Sequence, residues 1–105
     1  MARMSPTPDR RRLKRIAHHL EPVVQVGERG VTDAVIAETR RALDDHELIK
    51  VRLAGDRDAR SAMARELAGA CEADVVQSIG RIVVLFRKNP EPNHKLSNLT
   101  RFREA

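Results

Sequence analysis

The sequence predicts an α/β domain in which helices cover a mixed four-stranded sheet, with elements in the order αβαβαββ. Segments with apolar residues at helical spacing alternate with short runs rich in Val, Ile and Leu, and a strand, helix, strand series implies right-handed parallel crossovers. The last two β-prone runs, DVVQSI and RIVVLF, flank Gly80 and read as an antiparallel hairpin. A chain of 105 residues, 41 % hydrophobic and 33 % charged, suffices for one domain around one modest core.

The elements follow in order. Residues 1–8 (MARMSPTP), with two prolines, read as a disordered lead, and residues 9–87 as the folded domain. Asp9 is placed to cap a first helix whose Leu13, Ile16, Ala17 and Leu20 fall at i, i+3, i+4, i+7 on one face. Pro22 ends that segment, and PVVQV supplies a short strand of β-branched residues. After GERG, Thr32 can cap a second helix with Val35, Ile36, Thr39, Ala42 and Leu43 on its apolar side. ELIKVRL is a strand with Leu48, Lys50 and Arg52 on one face and Ile49, Val51 and Leu53 on the other. Asp56 or Asp58 can cap a third helix, with Ala59, Met63, Leu67 and Ala70 on one side, before the hairpin. Residues 88–105, with Pro90 and Pro92 among scattered polar residues, are expected to form a basic, loosely ordered tail.

The formal charge of +5 is unevenly spread. Residues 1–19 hold Arg3, Arg10, Arg11, Arg12, Lys14 and Arg15 against Asp9 alone, residues 87–105 are also basic, and the middle is mildly acidic. Clustered cations point to a polyanionic partner. On the first helix Arg11, Lys14, Arg15 and His18 repeat the i, i+3, i+4, i+7 spacing on the side opposite the apolar stripe. Helix stability does not explain Arg10, Arg11 and Arg12, because cations in a first turn oppose the helix dipole.

Gly27, Glu28, Arg29 and Gly30 form the second candidate. Glycines lack Cβ and accept φ > 0, and the helix that follows offers unpaired N–H groups, so an extended phosphate backbone could approach such a loop closely. KH modules grip RNA through a GxxG loop in this way. A plain tight turn explains the same residues, and Glu28 is the wrong sign for phosphate. Lys50 and Arg52 extend the surface if their face of the sheet is open, and otherwise only solubilise an edge.

Enzymatic signatures are missing. The histidines at 18, 19, 46 and 94 have no metal-ligand spacing, no serine lies in a nucleophile elbow, and neither GxGxxG nor a Walker motif occurs. No catalytic or metal site and no cofactor is therefore expected. The single Cys71 fits a reducing compartment, and with neither a membrane span nor a signal peptide read from the sequence, the expected location is the cytoplasm. A monomer is expected, since no apolar face is left over. Two Phe and no Tyr or Trp leave no platform for stacking unpaired bases of the RRM or OB kind, which favours structured RNA over bare single strands.

The order of motifs resembles the CRM domain (chloroplast RNA splicing and ribosome maturation), in its stand-alone bacterial YhbY-like form. The resemblance runs from about Leu13 to Arg87 and rests on GERG between strand and helix, on HELIKV at His46 to Val51, and on IGRIVVLFR ending at Arg87. It implies a fold similar to the C-terminal domain of a bacterial translation initiation factor. It also implies binding to ribosomal RNA of large-subunit precursors, with ribosomal proteins as further partners. Carried over by position, Gly27, Glu28, Arg29 and Gly30 occupy the family's RNA-contacting loop and the basic first helix its cationic surface. Phe86 stands where the family often has Tyr. The competing reading is an adaptor that reaches a ribonucleoprotein through protein contacts, with little RNA contact of its own.

Overall fold

The computed structural model describes residues 9–102, so the lead at 1–8 and the last three residues of the tail lie outside the described residues. Eight elements follow one another: α1 (Arg10–Ala17), β1 (Pro22–Val26), α2 (Asp33–His46), β2 (Leu48–Leu53), α3 (Arg57–Cys71), β3 (Asp74–Ile79), β4 (Ile82–Phe86) and a short α4 (Asn98–Arg101). The four strands form one sheet in the order β1-β2-β4-β3. β1 and β2 are parallel, joined through α2, and β4 runs antiparallel to both its neighbours. The mixed sheet is thus the one the sequence predicts.

Alternation along β2 decides what each face of the sheet meets. Ile49, Val51 and Leu53 join Val24, Val26, Val83 and Leu85 against Leu43 of α2 and Leu67, Ala68 and Cys71 of α3. Leu48, Val84 and Phe86 turn the other way and pack with Val76 against Leu13, Ile16 and Ala17 of α1. Two helices therefore cover one face and α1 covers part of the other, giving three layers.

The helix starts follow the sequence. Asp9, Thr32 and Asp56 each accept a backbone N–H of their helix's first turn, at 3.3, 3.2 and 2.8 Å, which satisfies donors a helix cannot satisfy itself. The buried face of α3 is turned relative to expectation. Ala64, Leu67, Ala68 and Cys71 are its buried residues, while Met63 only borders the core. Cys71 is a small core residue, and burial pushes its thiol up from the usual range. Leu43 is fully buried between α2 and the sheet. Leu43→Ala should destabilise the domain by about 3 kcal/mol, read as a lowered urea midpoint with an unchanged slope.

The larger departure lies after β4. Residues expected to be loose instead return across the α1 side as a strap. Glu47, almost fully buried, accepts from Asn89 N–H and Ser97 Oγ–H, each at 2.7 Å, and Asn98 Nδ2 donates to the Leu48 carbonyl at 2.6 Å. His46 Nδ1–H donates to the Leu96 carbonyl at 2.9 Å, and Arg87 pairs with Asp44. Leu99 and Phe102 then border the α1 core. Composition hides this arrangement because polar side chains, not an apolar stripe, hold the strap.

Candidate nucleic-acid interface

The basic run of α1 divides into two groups. Arg10 donates to the Val75 and Val76 carbonyls at 3.2 and 2.8 Å, fixing the helix to β3. Arg12 donates to the Leu99 carbonyl at 3.0 Å, fixing it to the strap. These two cations saturate backbone acceptors. Arg11, Lys14, Arg15 and His18 are exposed on the outer side, and the side chains of Arg11, Lys14 and Arg15 have no hydrogen bond or ion pair among the described residues. The stripe read from the sequence is therefore the part of the run left over once the packing is satisfied. His18 meets His19 edge to face at 5.7 Å, and His19 in turn stacks on Phe102.

α1 is only eight residues long, so it cannot cover the whole sheet. It shields the end that carries Leu48 and Phe86. Beyond it β2 shows Lys50, half-buried, and Arg52, exposed, on the same side. Lys50 lies with Lys14 and His18 around one hollow, whereas Arg52 pairs in register with Gln25 of β1, next to the strand's last residue. The open end of the sheet thus carries cations from α1 toward the loop that follows β1.

That loop is a turn closed by Gly30 N–H donating to the Gly27 carbonyl at 3.0 Å. Gly30 has φ +83, a conformation only glycine adopts without strain, while Gly27 has no positive φ. The freedom expected of both glycines is needed by one. A Cβ built on Gly27 would meet nothing within 4 Å, so neither backbone strain nor internal packing explains a glycine there. Glu28 and Arg29 are exposed. The loop stands at the far end of β1, and Arg52, read from the sequence together with Lys50 as an extension of the surface, lies in register with Gln25 just before it.

Among the described residues, no group of three or more His, Cys, Asp or Glu could hold a metal ion, and no helix is long and apolar enough to cross a membrane. Neither phenylalanine is on the open face: Phe86 is buried under α1 and Phe102 packs on His19.

Fold and surface together define a small three-layer α/β domain with exposed cations on α1 and on one open sheet end, and a glycine-bounded loop at the end of β1. The chain belongs to the CRS1/YhbY (CRM) domain family, whose model matches residues 7–87. A probable RNA-binding protein of Pseudomonas aeruginosa is 52 % identical over 94 residues, covering 89 % of this chain and 90 % of that one. An RNA-binding protein of Haemophilus influenzae is 45 % identical over 85 residues, covering 80 % and 86 %. The solution structure of a hypothetical protein from Staphylococcus aureus superposes with a TM-score of 0.71 at 31 % identity, covering 78 % of this chain and 86 % of that chain. The strap from Lys88 onward lies beyond the family match.

Proposed function

We propose that this protein is a non-catalytic RNA-binding protein that engages ribosomal RNA of the precursor large subunit and assists ribosome maturation in the cytoplasm as a monomer. The observation that carries the reading is the set Arg11, Lys14 and Arg15 on α1, whose side chains have no hydrogen bond or ion pair among the described residues, beside Lys50 and Arg52 on the part of the sheet that α1 leaves open. Arg11, Lys14 and Arg15 contact phosphates, His18 and Lys50 extend the contact beside Lys14, and the turn from Gly27 to Gly30 receives the backbone, with Arg29 as its cation. Glu28 faces away from the phosphates or weakens this part of the grip. The names of the Pseudomonas and Haemophilus relatives support RNA as the partner. The ribosomal target rests on the family resemblance.

Sedimentation of a cell lysate through a sucrose gradient at low and moderate salt tests the target. The expected result is that the wild type travels with large-subunit precursors. Sedimentation at the top under both conditions would reject the ribosomal target. If a variant with a reversed α1 charge still travelled with the particles, the adaptor reading would replace direct RNA contact.

The loop has its own test. Gly27→Ala is expected to leave stability within about 0.5 kcal/mol, since it needs no unusual φ and meets no neighbour. The same change should weaken RNA binding several-fold by holding the phosphate backbone away, as titration with labelled RNA would read. Unchanged affinity would remove Gly27 from the interface.

A further inference from the structure

The open end of the sheet holds a hollow of roughly 260 Å³ that phosphate contacts alone leave unused. Its floor is aliphatic, made by Ala17, Ile79, Ile82 and Val84. Ile79 is 61 % exposed, the most open of the large apolar side chains among the described residues. The rim is polar and carries no carboxylate: Lys14 and His18 stand on the α1 side, and Lys50 and Gln77 on the strands.

An occupant must offer a flat, partly apolar body to the floor and negative charge to the rim. A base with its flanking phosphates has both properties, and the rim cations belong to the same stripe that meets the phosphates. A paired base cannot present its face, because stacking within the helix covers it. We infer that the hollow receives one unpaired base of the bound RNA, set against Ile79 and Ile82, with Gln77 facing its edge and Lys14 and Lys50 on the flanking phosphates. This rests on the RNA-binding reading and narrows it to structured RNA that splays out a nucleotide. The expectation from low aromatic content is thereby refined: stacking platforms are absent, and an aliphatic seat for a single base takes their place.

The test compares two RNA hairpins of equal length at about 50 mM salt, where backbone contacts are strong. One is fully paired, and the other carries a single bulged 2-aminopurine. The wild type is expected to bind the bulged hairpin about fivefold to tenfold more tightly, roughly what one seated base contributes. Its 2-aminopurine fluorescence should change on binding. Ile79→Ser, at an exposed position, should abolish both the preference and the fluorescence change while leaving affinity for the paired hairpin intact. Equal wild-type affinity for the two hairpins, or a preference that survives Ile79→Ser, overturns the base seat and leaves RNA binding standing. Failure to bind either hairpin overturns both.

Discussion

Replacing Arg11, Lys14 and Arg15 together by glutamate is expected to lower RNA affinity by about a hundredfold or more at moderate salt, because three attractive contacts become repulsive. Stability should fall by no more than about 1 kcal/mol: the three side chains are exposed and hold no partner among the described residues, a glutamate at position 11 favours the helix in its first turn, and glutamates at 14 and 15 oppose the dipole in its last. The control is built into the same helix. Arg10 and Arg12 bind carbonyls of β3 and the strap, so replacing them should loosen α1 more than it weakens RNA binding. Salt titration adds a second reading of the same claim. With about five phosphates met by Arg11, Lys14, Arg15, Arg29 and Lys50, the slope of log K against log salt should lie near about −3.5 to −4.5. The triple variant should retain roughly −1.4 to −1.8.

The second large effect concerns stability. Glu47 closes α2 at φ +64, a strained conformation for a residue with a Cβ, and it is kept there by its hydrogen bonds. Its carboxylate holds the strap through Asn89 and Ser97, and its own carbonyl accepts from Arg87 N–H at 2.9 Å. Glu47→Ala leaves two donors without their acceptor and should cost about 2 to 4 kcal/mol. Glu47→Gly loses the same bonds but relieves the backbone, so it should be milder by about 1 kcal/mol. Chemical denaturation orders the three proteins. Hydrogen exchange should show the strap amides losing protection in both variants while the sheet stays protected.

The fold was largely legible because each level of the sequence agrees with the next. Capping residues stand before helical periodicity at Asp9, Thr32 and Asp56, and β2 alternates so cleanly that both of its faces can be assigned before any coordinates. The insertion of β4 between β2 and β3 was not legible, since local pattern says that two strands form a hairpin and not which of them joins the sheet centre. The strap was missed for a different reason. Its anchors are a buried glutamate and neutral side chains paired at separations of 42 to 50 residues, and no periodic signal records such pairs.

The candidate site was legible in part. Opposed apolar and basic stripes on eight residues of α1 announced the exposed cations, but only the packing separates Arg10 and Arg12, which tie the helix down, from the three that remain free. Gly27 and Gly30 look equivalent in the sequence and differ in the backbone, where only Gly30 needs its φ. The aliphatic floor around Ile79 and Ile82 combines residues from three elements, which no linear reading brings together.

The central claim, that one continuous face made by α1, the open end of the sheet and the Gly27–Gly30 turn holds RNA, is tested most directly by mapping amide chemical shifts of isotope-labelled protein during RNA titration. The shifts are expected to concentrate at residues 11–18, 27–30 and 50–52, with the outer faces of α2 and α3 silent. Shifts concentrated on α2 and α3 instead would place the interface on the opposite side of the sheet and contradict the account.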